Sequence, residues 1–264
     1  MWEWVIYPPL GVLVGIVAGL LGIGGGVVIV PILVFVFTAH GFPPQHIMQI
    51  ALATSLGSIV FTSVSSFMTH HRHGAVRWDV VKGITLGILV GTFSGTWIAA
   101  QLSTRALKIF FACFLYYVAA TMLSNFKPKP SRQLPGLLGM NSVGGVIGVV
   151  SSLVGIGGGA LSIPFMMWCN VPVHHAIGTS AAIGFPIAVA GTLGYIINGL
   201  PIADLPTLSL GYLYIPALFG IALFSFFSAP FGARLAHKTA VVTLKRIYAV
   251  FLIVVATRII WGVL

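Results

Sequence analysis

The sequence predicts an all-α, polytopic membrane protein built from two inverted repeats. Three observations carry this prediction: an apolar composition, a motif that occurs twice, and opposite charge in two equivalent loops. Of the 264 residues, 58% are apolar and only 6% are charged, whereas a soluble domain carries about 25% charged residues. So few charges cannot cover the surface of a soluble domain of this length. The net charge of +10 comes from short loops between apolar runs, which indicates topology signals and contacts with anionic lipid headgroups and excludes nucleic-acid binding.

A glycine-rich string occurs twice and divides the chain into two halves. Residues 20–31 are LLGIGGGVVIVP, and residues 153–164 are LVGIGGGALSIP. A Thr-Ser pair follows each string, and then come GTWIA from Gly95 and GARLA from Gly232. Matches in the same order indicate a duplicated architecture. We therefore predict a first transmembrane repeat at 1–126, a basic cytoplasmic linker at 127–134 and a second transmembrane repeat at 135–264.

Five apolar segments recur in each half. They cover about 4–21, 27–39, 46–68, 83–102 and 106–124 in the first half, and about 135–154, 160–170, 176–197, 208–229 and 241–262 in the second. A helix needs about 20 residues to cross the hydrocarbon core. The segment after each glycine string is shorter and contains Pro31 or Pro164. We therefore expect about eight to ten membrane helices, with a short hairpin broken by glycine and proline in each repeat, a pattern typical of a transporter's binding site.

Loop charge predicts how the two halves are oriented. The loop between the third and fourth segments is basic in the first half, whereas its counterpart in the second half carries only Asp204. By the positive-inside rule these equivalent loops face opposite sides, so the repeats are inverted and both termini lie outside. On the inner, cytoplasmic side this topology places the basic residues Arg72, Arg77, Lys82, the stretch from Lys127 to Arg132, Arg234, Lys238, Lys245 and Arg246. It also places the modest basic loop of Arg105 and Lys108 outside, against the rule.

The glycine strings predict a binding site for a small anion. Glycine allows positive φ and a close approach of a ligand to main-chain amides. The helix after each string directs free N–H groups and its positive dipole end toward the break, and two such ends suit an anion. The predicted substrate-binding residues are Gly22, Gly24, Gly25, Gly26, Thr54, Ser55, Gly155, Gly157, Gly158, Gly159, Thr179 and Ser180. The alternative is structural: small residues pack membrane helices, and hydroxyls bond to their own helix carbonyls.

A histidine cluster at residues 70–73 is the densest titratable patch of the sequence. One interpretation is a topology loop that touches lipid phosphates. The other is an inner gate formed by His71, Arg72 and His73, because histidine changes its charge near neutral pH. No cysteine or carboxylate cluster joins the histidines at metal-ligand spacing, so we expect neither a metal nor a cofactor.

The doubled GIGGG string, followed each time by a proline and then a Thr-Ser segment, resembles the TauE/SafE sulfite exporter family, also called the 4-toluene sulfonate uptake permease family. The resemblance covers the whole chain. It implies a secondary transporter that moves sulfite, organosulfonates or related anions across a bacterial inner membrane. A passive anion channel is the alternative. A membrane-embedded enzyme is disfavoured because the chain has only three acidic residues from which to build a catalytic constellation. The oligomeric state stays open.

Overall fold

The computed structural model describes residues 3–21, 25–124, 131–238 and 241–262. Within these ranges the chain forms ten α-helices and one small antiparallel hairpin. The first half contains α1 (Glu3–Leu21), α2 (Gly26–Ala39), α3 (Ile47–Arg72), α4 (Trp78–Gln101) and α5 (Thr104–Leu123). The second half contains α6 (Leu137–Val154), α7 (Gly159–Trp168), α8 (Val173–Gly199), β1 (Ser209–Leu210), β2 (Leu213–Tyr214), α9 (Ile215–Lys238) and α10 (Val241–Trp261). The predicted all-α class is confirmed.

Five of the described helices are long and apolar enough to cross a membrane: α3, α4, α5, α6 and α8. Large apolar side chains lie exposed on their outer faces, among them Leu86, Trp97 and Val146. An apolar outer surface is stable only against lipid, because contiguous exposed apolar area is unfavourable in water. The chain is a multi-pass membrane protein.

The helix after each glycine string is short, as its sequence predicts. α2 has 14 residues and α7 has 10. At 1.5 Å per residue α7 is about 15 Å long, which is half of the hydrocarbon thickness. The prolines of the two strings, Pro31 and Pro164, lie inside these helices.

The described residues of the two glycine strings, 25–26 and 155–159, lie at the tips of two helical hairpins, α1–α2 and α6–α7. The base of a hairpin is the end opposite its tip. At the base of the first hairpin, the ring centres of Tyr7 in α1 and Phe37 in α2 lie 6.2 and 5.6 Å from that of Tyr214, so both helices reach the same end. The base of the second is shared by α6 and α7, because Trp168 Nε1 donates to Ser131 Oγ, at 2.8 Å, in the linker that leads into α6. Both hairpins thus return to the end at which they start.

Helix packing is repeated between the two halves. α1 packs along α9 as α6 packs along α4, and α2 packs on α3 as α7 packs on α8. α3 contacts α9 as α8 contacts α4, while the α3–α8 and α5–α10 pairs join equivalent helices. Each of these contacts has an equivalent in the other half, which is the arrangement expected of a duplicated membrane chain.

Glycines outside the strings bring α4 and α6 into close contact. A Cβ added to Gly144 would lie 2.5 Å from the carbonyl oxygen of Ile84, and one added to Gly148 would lie 2.6 Å from that of Ile88. The side chain of Asn141 accepts the backbone N–H of Gly87 at 2.9 Å. This is the close packing through small residues that membrane helices use.

Residues 208–214 differ from the predicted fourth segment of the second half. The prediction begins a helix at 208, whereas the structure places a β-hairpin there and starts α9 at Ile215. Leu208 and Gly211 have φ of 67° and 54°, values that a right-handed helix does not allow. In the sequence, apolar residues of the hairpin such as Leu213 continue into the apolar run of α9. Apolarity alone therefore does not distinguish the hairpin from the helix that follows it.

Candidate functional site

The loops of the described chain gather at two ends with different chemistry. At one end, called the basic end, the α3–α4 turn contacts α8, because Arg77 N–H donates to Thr179 Oγ1 at 2.9 Å. At the same end the linker contacts the end of α7, where Arg132 lies 4.6 Å from the ring centre of Trp168. At the opposite end, the rings of His46 and Tyr212 lie 5.7 Å apart, and Asp204 acts electrostatically on His46. The equivalent loops that the charge pattern assigns to opposite sides thus lie at opposite ends of the molecule.

Both short helices begin at a glycine in the left-handed conformation. Gly25 precedes α2 with φ 69° and ψ −24°, and Gly158 precedes α7 with φ 78° and ψ −7°. Neither helix start is capped by a side chain. The first amides of a helix have no acceptor within the helix, so both starts offer N–H groups to a ligand. Gly22 and Gly24, which are predicted with this site, lie outside the described residues.

The two hairpin tips meet inside the molecule. A Cβ added to Gly26 would collide with the carbonyl oxygen of Gly155 and would lie 3.0 Å from the Cα of Ile156. Ser55 Oγ donates to the same Gly155 carbonyl at 2.8 Å, and both residues are buried. Because the base of one hairpin is at the basic end and that of the other is at the opposite end, the two tips approach each other head to head.

The remaining string glycines lie at the second tip. Gly159 opens α7 and is buried. Gly157 faces α8, where a Cβ added to it would lie 3.6 Å from the Cα of Gly184. Ser180, on α8, accepts a hydrogen bond from Ser162 Oγ at 2.8 Å, which ties it to α7. Both predicted serines therefore lie beside the hairpins, and Ser55 donates its hydrogen bond to the second string itself.

The two predicted threonines have a different place. Thr179 Oγ1 accepts the N–H of Arg77, the residue before α4, and Thr54 Oγ1 accepts the N–H of Tyr214, the residue before α9, at 3.2 Å. Both hydroxyls are fully buried, and the two bonds are equivalent in the two halves. Each threonine thus anchors the start of a helix from the other half.

The surroundings of the tips are apolar except for hydroxyls. The side chains nearest Gly26, Gly155, Gly157 and Gly158 are Val30, Leu52, Ile59, Ile147, Ser151 and Ile187. Hydrogen bonds and dipoles act strongly in such a medium because little water screens them. The charge of an anion held here would be balanced by amides, helix dipoles and hydroxyls.

The three gate candidates lie at the basic end and do not converge on one point. Trp78 Nε1 donates to His71 Nδ1 at 3.2 Å, and His73 Nδ1 bonds to the carbonyl of Thr69 in its own helix at 2.8 Å. Arg72, in the last turn of α3, is exposed. Sixteen residues of α3 separate Ser55 from His71, which is about 24 Å. The cluster is therefore remote from the tips and can act only on access to them.

Three polar residues near the site or its entrances have no equivalent in the other repeat and are not predicted by the motifs. Ser151 and Ser162 stand where the first repeat has Ala18 and Ile29, so a comparison of the two repeats position by position is the signal that identifies them. His46, at the start of α3, is the third; burial lowers its pKa, and Asp204 partly opposes that shift.

Comparison with known proteins connects this architecture to transport. The family model described as "Sulfite exporter TauE/SafE" matches residues 7–259. A "probable membrane transporter protein" of Haemophilus influenzae is 38% identical over 94% of each chain. Proteins of the same description from Bacillus subtilis and Methanocaldococcus jannaschii are each 27% identical, over 98% and 89% of each chain. No solved structure matches the chain significantly.

Proposed function

Because the chain is a membrane transporter of the sulfite exporter TauE/SafE family, we propose that it is a secondary transporter of small anions, which binds its substrate where the two glycine tips meet. Sulfite, organosulfonates and related sulfur oxyanions form the substrate class. The observation that carries the proposal is the direct contact between Gly26, the first residue of α2, and Gly155, three residues before the N-cap of α7, which brings the two hairpin tips together at a buried point.

The donors at this point suit an oxyanion. A sulfite or sulfonate group presents several acceptor oxygens, and the starts of α2 and α7 present N–H groups with the positive ends of two dipoles. Among the described residues, the side chains nearest the tip glycines include no carboxylate, so a cation would lack its counter-charge. A helix start binds an anion without a buried lysine or arginine, which lets the substrate leave as readily as it enters.

Alternating access requires a closure at each end of the path. At the basic end, Phe67 packs edge-on against Trp78 and Phe185, with centroid distances of 6.4 and 6.1 Å. At the opposite end, Phe42 packs against Phe37 and Tyr214 at 4.7 and 5.0 Å. We assign these two aromatic clusters as the gates, and each must open while the other stays closed.

His71 is part of the gate at the basic end. Its Nδ1 accepts the Trp78 N–H, so this bond must break when the gate opens. Arg72 and His73 add positive charge that attracts an anion to the entrance.

Flux through reconstituted protein tests the proposal. We expect vesicles containing the purified chain to take up sulfite in a saturable manner and to show counterflow, in which sulfite inside accelerates entry of labelled sulfite from outside. Empty vesicles are the control. Saturable uptake of a cation with no response to any oxyanion would contradict the substrate class, and sulfite flux without counterflow would indicate a channel.

A further inference from the structure

Ser151 carries a buried hydroxyl with no partner within the described chain. It lies in the last turn of α6, is 0% exposed, and its Oγ makes no hydrogen bond there. Its backbone carbonyl closes the helix by accepting the N–H groups of Gly155 and Ile156 at 2.8 and 3.1 Å. Ser151 is therefore fixed at the turn between α6 and α7.

This hydroxyl faces the start of α7. Its oxygen lies 3.4 Å from the position that a Cβ on Gly158 would occupy, and Gly158 is the residue before the first amide of α7. The helix start lacks a side-chain cap. Two kinds of donor, the first amides of α7 and the Ser151 hydroxyl, thus share one small buried region.

The missing partner is unusual because a hydroxyl on a helix can form a hydrogen bond with a backbone carbonyl of the same helix. Serine and threonine in membrane helices commonly donate to a carbonyl three or four residues earlier. The next residue, Ser152, does this: its Oγ donates to the carbonyl of Val149 at 2.8 Å. Ser58, equally buried on α3, donates to the carbonyl of Thr54 at 2.9 Å. Ser151 points instead toward Gly158.

A second unpartnered hydroxyl of the described residues lies nearby, where α4 packs against α6. Thr92 on α4 is 0% exposed, and its Oγ1 makes no hydrogen bond within the described residues. It lies 2.8 Å from the position of a Cβ on Gly148, one turn before Ser151 on α6. A buried unsatisfied hydroxyl destabilises the folded state, so two of them within about one turn of α6 indicate a region built for a polar occupant.

We propose that Ser151 Oγ donates a hydrogen bond directly to the bound oxyanion at the start of α7. The first repeat has Ala18 at the equivalent position, so the site is asymmetric and the second hairpin tip holds the substrate more tightly than the first. This assignment rests on the proposed function, because it takes the anion site at the glycine tips as its premise.

Binding of inorganic sulfite to purified protein in detergent tests the assignment. We expect Ser151→Ala to weaken sulfite binding about tenfold, the effect of one lost hydrogen bond to an ion. Ser152→Ala is the matched control, since its neighbouring hydroxyl bonds within its own helix, and we expect it to bind sulfite within about twofold of wild type. Calorimetry provides the dissociation constants.

The stability of the ligand-free protein gives a second readout. Removing an unsatisfied buried hydroxyl relieves its desolvation cost, so Ser151→Ala should melt at or above the wild-type temperature while it binds sulfite less tightly. A variant that is more stable and binds less tightly cannot be explained by misfolding. Ser151→Thr, which keeps the hydroxyl, should bind more tightly than Ser151→Ala.

The outcomes separate this inference from the proposed function. If wild type binds sulfite and Ser151→Ala binds it with equal affinity, the inference alone is overturned, and the hydroxyl would then bond to water. Equal losses in the Ser151 and Ser152 variants would overturn it too, because the effect would be one of packing. No binding of sulfite or any other oxyanion by wild type would contradict the proposed function itself.

Discussion

Gly157 and Gly158 are neighbours in the second string, and we predict opposite responses to alanine. Gly158 has φ of 78°, a conformation that costs an alanine about 1–2 kcal/mol. Its Cβ would also lie 2.5 Å from Cδ1 of Ile187, and accommodating it adds about 1 kcal/mol of overpacking. Gly158→Ala should therefore destabilise the fold by about 2–3 kcal/mol.

Gly157 is the matched control because an alanine fits there. Its Cβ would lie 3.5 Å from Cγ2 of Ile59 and 3.6 Å from the Cα of Gly184, which are ordinary van der Waals distances. Gly157→Ala should be neutral or should stabilise the fold by about 0.4–1 kcal/mol, since alanine restricts the unfolded chain.

Thermal unfolding of both variants in the same detergent, followed by tryptophan fluorescence, measures the difference. At about 2–4 °C per kcal/mol for a chain of this size, Gly158→Ala should melt roughly 5–10 °C below wild type. A Gly158→Ala protein as stable as wild type would refute the left-handed start of α7. Equal destabilisation by both variants would mean that the tip simply has no room for added atoms.

Three further predictions concern the anchors, pH and topology. Thr179→Val leaves a partly buried backbone N–H of the α3–α4 turn without its acceptor, so the unfolding free energy should fall by about 1–3 kcal/mol. Thr192→Val, which removes a hydroxyl that bonds within its own helix, should lower the unfolding free energy by less, and equal losses would refute the anchoring role. Burial lowers the pKa of His46, so its contribution to stability is fully present above about pH 6.5 and is lost as pH falls. The melting temperature measured between pH 5 and 8 should therefore depend less on acid in His46→Gln than in wild type. An unchanged pH dependence would contradict this prediction. Single cysteines at the positions of Gly74 and Asp204, in a background without native cysteines, should be labelled from opposite sides of the membrane. Labelling of both positions from the same side would refute the inverted arrangement.

The helices could be predicted from the sequence because the bilayer imposes a length on apolar segments. α2 and α7 begin and end close to the predicted positions, since a glycine string and a turn delimit each of them. The predicted start of α4 at 83 is later than the observed Trp78, because the first five residues of α4 include Asp79 and Lys82 and apolarity alone does not detect a polar helix start.

The division of roles within the Thr-Ser pairs could not be predicted from the sequence. Thr54 and Ser55 are adjacent, yet Thr54 bonds to Tyr214 while Ser55 bonds to Gly155. Successive helix residues point about 100° apart, so each faces a different neighbour, and the partners are 160 and 100 residues away along the chain. Only the packing of α3 against both halves determines which hydroxyl reaches which backbone.

Locating a bound anion tests most directly whether the two tips form the substrate site. Selenite has the shape and charge of sulfite, and its selenium can be located by anomalous scattering in crystals of the protein. We expect one selenium peak between the hairpin tips, within hydrogen-bond reach of the first amides of α2 and α7, beside Gly26 and Gly159. A peak confined to the basic end around His71 and Arg72, with none between the tips, would contradict the proposed site.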